Sequence, residues 1–478
     1  MPDRPNILLI TSDQHRADAL GHAGHSCLNT PHLDLLAHQG TRFDNAYVDC
    51  PVCIPARTTF ITGRRAHENG CCSYSEAFRV DVERRHMLGG LLTAAGYQTE
   101  LVGKTHWNTE VDCRGGFEHV TWLARLRRQQ LIETGRPGML AGLGYNEPAP
   151  SLSPFPPHLH STNWLADRAC DFIETRERAD PFALWVSFQD PHPPFIVHEP
   201  YYSMFRDADI DDAVTGAWVE SDDEPMDIWK MRHIGNKKPM TPAEVRHMRA
   251  VYFGMIANMD HQIGRILAQL QYHGDLDDTL ILYTSDHGDA MGDHGLIGKR
   301  TFLENSAKVP FIIRPPTGTG EVGQVRRDLV EWADILPTLC TAAGADVPDH
   351  VTGRDIGPIL RGDSLPEHHV HGQIDDAHMY HDGRYKFIYC VDDGRSLTFD
   401  TQTDPNDEHN LTGEHSTRLR QLLIDHLAAE QHEHLINGDL LNRQTPRPSI
   451  TQLRAENQKG MGPTQYMGKA QRDVMWIN

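Results

Sequence analysis

No stretch of this 478-residue chain approaches the ~20 apolar residues that a membrane-spanning helix needs, so no membrane role is expected. Positive charge is in deficit. The chain has 45 Lys and Arg against 66 Asp and Glu, a formal net charge of −21, which excludes a general nucleic-acid binder with a basic face. An anionic substrate stays open, because a few cations in a pocket outweigh a distant acidic surface. The nine cysteines are odd in number and lack the spacing of a disulfide framework. A signal-peptide core is missing too: the apolar run Ile7-Leu8-Leu9-Ile10 is short and leads into Asp13 rather than a cleavage site. A cytoplasmic, reduced location is therefore expected. No internal repeat is visible.

What is present fits a large globular protein. The length allows two to four domain-sized units, and 39% hydrophobic with 23% charged residues is ordinary for a packed chain. The 30 histidines are many for this length and fit metal or acid–base work, although most are expected on the surface.

Short apolar runs read as buried parallel strands at residues 6–11, 97–102, 181–188, 279–283 and 309–313. Helices are expected at 31–40, 87–95, 242–272 and 334–343, several of them ended by glycine. This alternation predicts a mostly parallel α/β sandwich. Residues 135–160 read as a long loop and 206–227 as an acidic surface insertion. Beyond residue 364 the pattern changes. A hairpin is expected at 385–391 and 396–400 around Asp392-Asp393-Gly394, then a helix at 416–431 with Ser416 as its N-cap. The expected division is 1–364, a 365–442 subdomain, and a 443–478 tail that serves as an oligomerisation arm. The segment with His368, His369 and His371 reads as exposed loop rather than a metal site.

Carboxylates where buried strands end are the first sign of a site, because α/β sheets bind ligands beyond those ends. Asp13 follows the first strand, and Asp286-His287 follows the 279–283 strand. One such Asp alone is more often a cap or turn residue. Together they can hold one divalent cation, with Gln14 as a further ligand. Hard oxygens favour Ca²⁺, while the imidazole also suits Mn²⁺ or a similar ion.

The segment Cys53-Ile54-Pro55-Ala56-Arg57, closed by Thr62-Gly63, resembles the signature of the sulfatase family, within the alkaline phosphatase superfamily. Ile10-Thr11-Ser12-Asp13-Gln14 is similar to that family's N-terminal metal motif, and Gly103-Lys104-Thr105-His106-Trp107 to its internal motif. Asp190-Pro191-His192-Pro193-Pro194-Phe195, Ser285-Asp286-His287-Gly288-Asp289 with Gly298-Lys299, and the strand motif at 399–411 follow in the family's order. The resemblance implies an alkaline-phosphatase-like sandwich: a large mostly parallel sheet between helices, plus a smaller C-terminal α+β subdomain with a short antiparallel sheet. It also implies a metal-dependent sulfate ester hydrolase whose Cys53, a metal ligand too, is oxidised to formylglycine by a maturing enzyme. The substrate is expected to be a sulfated carbohydrate or other small organic sulfate, and the protein a homo-oligomer.

Each residue acquires a role from that resemblance. Hydrated formylglycine 53 attacks sulfur, Arg57 holds the diol, and Lys104, Lys299 and the metal clamp the sulfate. His192, with Lys299, protonates the leaving alcohol, and His106 takes a proton from the second hydroxyl. Arg300 joins Lys104, His192 and Lys299 in substrate binding, while His22, His25 and His294 lie near motif residues. Two departures matter: many sulfatases have Asp where Gln14 stands and Asn where His287 stands. The combination here is similar to choline sulfatases, some polysaccharide sulfatases and phosphonate monoester or phosphodiester hydrolases. That leaves a phosphoryl reading on the same site. A third reading, an inactive binding protein retaining the fold, has no need of Cys53, Arg57, Lys104, His106 and Lys299 together.

Overall fold

The computed structural model of the chain describes residues 4–73, 82–105, 115–135, 143, 146–235 and 240–453. Its first strand, β1 (Asn6–Asp13), shows why continuous apolar runs make the central sheet. Ile7 and Leu9 point into one core layer and Leu8 and Ile10 into the other, all of them buried. A strand covered on both faces has no use for polar alternation.

The sheet is completed by β2 (Thr41–Phe43), β3 (Gln98–Gly103), β4 (His119–Trp122), β5 (Phe182–Pro191), β6 (Thr279–Ser285), β7 (Phe311–Arg314) and β8 (Gln324–Arg326), in spatial order β8-β2-β7-β6-β1-β5-β3-β4. Strands β6, β1, β5, β3 and β4 run parallel, and β7 lies antiparallel to both its neighbours. Helices close both faces. On one side lie α2 (Cys53–Thr62), α4 (Leu88–Ala94) and α7 (Ile335–Ala343), packing Phe60, Leu91 and Leu339 against Trp185 and Leu282. On the other lie α1 (Pro31–Gln39), α5 (Ser161–Thr175) and α6 (Pro242–His273), packing Leu36, Trp164 and Ile263 against Val186 and Ile281. The short α3 (Ala66–Asn69) follows α2.

The 32-residue α6 begins with a capping box: Thr241 Oγ1 accepts from the Glu244 amide, and the Glu244 carboxylate accepts from the Thr241 amide at 2.7 Å. Pro242 fills its first turn and Gly274, at φ 76°, closes it. Among the described residues no helix is long and apolar enough to cross a membrane.

A second sheet, the antiparallel meander β9 (Val370–Ile374), β10 (Ala377–His381), β11 (Tyr385–Cys390) and β12 (Ser396–Asp400), lies beyond the main one. Helix α8 (Glu414–Ala429) covers one face through Leu419, Leu423 and Leu427 against Phe387 and Tyr389. Met379, Leu397 and Phe399 on the other face meet Tyr47 and Phe302 of the main body. The fold is thus the expected mixed α/β architecture, with a large mostly parallel sheet and a small antiparallel one.

Several local expectations are corrected. Helix α8 starts two residues before Ser416, after Gly413 at φ 83°, so Ser416 lies inside the helix and does not cap it. Within 135–160, Pro150–Leu152 forms a short strand paired with Phe195–Val197. The acidic 206–227 segment is exposed at Asp211, Asp212 and Asp223, but Glu224 is buried in a bidentate pair with Arg232 at 2.9–3.0 Å. The His368–His371 segment is not exposed loop: His371 is 1% exposed on β9, and His368 and His369 lead into that strand half-buried. Residues 443–453 fold back on the chain, with Leu453 buried beside Met226, Trp229 and Cys390. The remainder of the expected arm lies outside the described residues.

Candidate active site

Parallel neighbours that end together bring their terminal side chains together. Strands β1 and β6 pair in register to Ser12–Ser285, so Asp13 and Asp286 emerge side by side. The chain then turns sharply: Gln14 sits at φ 73°, and its amide donates to Asp286 Oδ1 at 3.1 Å.

Helix α2 delivers the other half of the site. All ten of its residues are buried, and Val52 offers no side-chain cap. Pro55 is tolerated because it lies in the first turn. Thr58 and Thr62 hydroxyls bond back to carbonyls of their own helix, and Gly63 at φ 64° ends it. Cys53 is its first residue, where the helix dipole favours a negative group.

Arg57, one turn on, joins four strands. Its Nε donates to Asp286 Oδ2 at 2.8 Å, one terminal nitrogen to Asp13 Oδ2 at 3.3 Å, and the other to Ser187 Oγ (2.8 Å) and the Lys104 carbonyl (3.1 Å). Gly103 lets β3 end this close to β5. Its φ is +124°, and a Cβ there would lie 2.0 Å from the Ser187 carbonyl oxygen. Lys104 follows immediately, with its ammonium paired to Asp13.

Cys53 Sγ lies 3.1 Å from His287 Nε2 and 3.8 Å from Asp13 Oδ1. His287 Nδ1 is tied to the Gly288 carbonyl at 2.9 Å, which fixes the tautomer and turns the Nε2 lone pair inward. His192 is held the same way by the Pro193 carbonyl, 2.6 Å from Nδ1, and its Nε2 stands 4.0 Å from Asp13 Oδ1. Donor atoms of Asp13, Cys53, Asp286 and His287 lie within 4.8 Å of one another, all four buried. Two carboxylates, one imidazole and a sulfur position that maturation would turn into oxygen suit a divalent cation of the hard or borderline kind.

The charges act on one another strongly here. Against burial, Lys104, His192 and Arg57 hold the Asp13 carboxyl well below the usual range. Burial and the facing Asp13 leave Asp286 above it. Against burial and Asp13, the cations Lys299 and Lys104 with His287 pull the Cys53 thiol down. Burial, with Lys299 and Lys104, holds His192 well below the ordinary imidazole value, so it is neutral at neutral pH.

The structure therefore brings Asp13, Cys53, Arg57, Lys104, His192, Asp286 and His287 together. Gln14 and Lys299 stand at the edge, with Lys299 Nζ donating to Gln14 Oε1 at 2.6 Å. That bond points the Gln14 oxygen at the lysine. Arg300 turns to the second sheet, pairing with Asp375 at 2.8 Å. His294 packs at a tilt against Trp218 and bonds the Asn406 carbonyl, and His22 lies beside Arg42, so neither faces the cluster. His25 packs edge-on against Phe253. His106 lies outside the described residues.

Two supporting roles escaped sequence reasoning, that of Ser187 and that of Asp289, which stood in the quoted motif without one. Ser187 holds Arg57, and its hydroxyl also donates to the Lys104 carbonyl at 2.6 Å; a lone serine inside Phe-Ala-Leu-Trp-Val-Ser-Phe was the available signal. Asp289 accepts from the Gln14 amide nitrogen and from the Met291 and Gly298 amides, both at 2.8 Å, fixing the loop that carries Lys299.

Comparison with known proteins agrees with this arrangement. Residues 5–345 match the sulfatase family, and residues 292–433 match the C-terminal region of N-sulphoglucosamine sulphohydrolase. An arylsulfatase of Clostridium perfringens is 31% identical over 94% of this chain and all of that protein. A multifunctional alkaline phosphatase superfamily protein, PehA of Trinickia caryophylli, is 28% identical over 86% of this chain and 92% of its own length. The crystal structure of the phosphonate monoester hydrolase of Agrobacterium radiobacter superposes with a TM-score of 0.72 at 25% identity, covering 95% of this chain and 96% of that one. With more than two thirds of its length matched and its signature cysteine opening a buried helix at the ends of the central strands, this chain belongs to the sulfatase family.

Proposed function

We propose that the protein hydrolyses a sulfate ester with a formylglycine matured from Cys53 and one divalent cation, Ca²⁺ by preference, held by Asp13, Asp286, His287 and residue 53. The observation that carries this reading is the placing of Cys53. It is the first residue of a fully buried helix, within 4.8 Å of three metal-capable donors. Formylglycine, hydrated, supplies a nucleophilic hydroxyl that no encoded side chain offers, and the cation supplies Lewis acidity toward the sulfate oxygens.

The chain's own residues do the rest. Lys104 and Lys299 bind the anionic sulfate and offset charge that grows on it. Arg57 acts through others: its described hydrogen bonds go to Asp13, Asp286, Ser187 and the Lys104 carbonyl, so it positions the ligands instead of holding the diol. His192 is neutral at neutral pH, with Nδ1 tied to the Pro193 carbonyl and Nε2 turned inward. An oxyanion bound between the lysines raises its proton affinity and lets it carry the proton to the leaving oxygen. Beside His192 a cavity is lined by Leu126, Phe155 and Ile196 with Arg127 and Gln130, a mixed wall that suits the apolar face and hydroxyls of a sugar or a small aryl alcohol.

The phosphoryl reading keeps one specific support: Gln14 and His287 depart from many sulfatases in the direction of phosphonate monoester hydrolases. Parallel kinetics on p-nitrophenyl sulfate and phenyl p-nitrophenyl phosphonate decide between them. The expected result is a larger kcat/KM for the sulfate; a clear excess for the phosphonate reverses the assignment. Mass spectrometry of the peptide bearing residue 53 checks the nucleophile, and a thiol after co-expression with a maturing enzyme removes it.

A further inference from the structure

The histidines that looked like surface residues converge. His67 on α3, His371 on β9, and His426 with Glu430 at the end of α8 place donor atoms within 4.8 Å of one another. Glu430 Oε1 lies 3.1 Å from His67 Nε2 and 3.1 Å from His426 Nε2. The rings of His67 and His426 stand 4.6 Å and 4.5 Å from that of His371. Bonds of about 2.0–2.2 Å at a tetrahedral angle set ligand atoms roughly 3.3–3.6 Å apart, close to this spacing.

A line of rings ending at a carboxylate sets which nitrogen His371 presents. His371 Nε2 hydrogen-bonds His378 Nδ1 at 3.1 Å and His378 Nε2 hydrogen-bonds His434 Nδ1 at 2.8 Å, while His434 Nε2 stands at ion-pair distance, 3.4 Å, from Asp376 Oδ1. A carboxylate at the end can only accept, so with one proton per ring each Nε2 donates down the chain. His371 Nδ1 is then a bare lone pair, buried and without a hydrogen-bond partner. A ligand imidazole backed by such a chain to a carboxylate is the usual outer support of a metal site. His426 is also set for it, with Nδ1 3.4 Å from His369 Nε2 and Nε2 facing Glu430.

We propose that His67, His371, His426 and Glu430 form a second metal site, separate from the catalytic cluster, that takes Zn²⁺ or a similar borderline divalent ion. Three imidazoles and one carboxylate in a tetrahedral set select zinc over Ca²⁺ or Mg²⁺, which demand more oxygen ligands. All four positions come from protein, with none reserved for water, so the role is structural. The ion would fasten α3, and with it the end of the nucleophile helix α2, to the second sheet and to α8.

The test uses untagged full-length protein in an Asp286→Ala background, which removes a donor from the catalytic cluster. After chelation, reloading with Zn²⁺ and gel filtration, elemental analysis should find about one zinc per chain, and zinc should raise Tm by several degrees. Adding His371→Gln should abolish both. Should His371→Gln fail to fold, His426→Gln/Glu430→Gln, on the more open side, gives the same reading. Co²⁺ loading should produce the visible bands of four-coordinate cobalt in the background protein and lose them in either variant. Folded background protein that retains no zinc, or variants that retain as much as it does, would overturn the site.

Discussion

Among the described residues, two places bury a pair of carboxylates around one cation, and only one of them belongs to the candidate active site. Arg57 lies between Asp13 and Asp286; Lys386 lies between Glu304 and Asp407, with Nζ 2.6 Å and 2.9 Å from their oxygens. All six side chains are shielded from solvent. Around Lys386 most of the groups bond one another, although Asp407 Oδ1 is buried without a hydrogen-bond partner. The Glu304 carboxylate also takes the Tyr47 hydroxyl at 3.0 Å, and Asp407 Oδ2 takes the Glu304 amide at 2.6 Å. Burial and Glu304 push Asp407 up, while against burial Lys386 and Lys308 keep Glu304 down. Around Arg57 more groups gather. Lys104, Cys53, His192 and His287 all face the same carboxylates. Buried charge alone does not mark a site. Several metal-capable donors at the strand ends do.

The sharpest way to break this contrast is to remove one member of each trio's surroundings. Cys53→Ala should lower kcat/KM by at least ~10⁴-fold, as removal of a nucleophile does. Its Tm should stay near that of the parent, because Arg57 keeps both carboxylates. Steady-state kinetics and a thermal melt on one preparation read both quantities. A variant that kept its activity would mean that residue 53 is not where the bond to sulfur forms.

Lys386→Met should do the reverse. Removing the cation strands two buried carboxylates, which costs about 3–5 kcal/mol of stability. The folded protein should nonetheless keep the parent's kcat/KM, since the trio touches none of the catalytic cluster. Urea unfolding followed through Trp fluorescence gives the first, and kinetics at a temperature well below the variant's Tm the second. A loss of kcat/KM in fully folded protein would join the two regions and end the distinction.

The parts of this architecture that were legible in sequence are those with a one-dimensional signal. Strand β1 announced itself by an apolar run ending in Asp, and α6 by a long amphipathic stretch opening at Pro242. Helix α2 had no such signal. With ten buried residues and no side-chain cap it lacks an apolar stripe, so its motif was readable and its helix was not. Asp13, Asp286 and His287 were found because strand ends predict ligand positions. Ser187 was passed over, and Asp289 was quoted without a role, because their partners, Arg57 and Gln14, lie 130 and 275 residues away. The same distance hid the histidine cluster. Residues 67, 371 and 426 share no local pattern, and His368-His369 looked like loop until β9 placed His371 in the core.

Asp49 supplies the control that the two trios lack: a buried carboxylate with no ion-pair partner among the described residues. Its Oδ2 accepts from Thr59 Oγ1 at 3.1 Å and from the Ala66 amide, while Oδ1 is buried without a partner. Burial lifts its carboxyl from 3.8 to about 6, with Glu331 adding to the rise. A folded value above the unfolded one means that the native state holds the proton more tightly. The contribution is full below pH ~4 and is lost as pH rises through about 6, a change of about 3 kcal/mol for a shift of about two units. Asp49→Asn carries no such charge, so its stability relative to the parent should grow between pH 4.5 and 7. Urea midpoints of both proteins across that range measure the difference, and a constant offset would show that Asp49 finds a cation after all. The effect is smaller than the other two, and it isolates what Arg57 and Lys386 each do for their carboxylates.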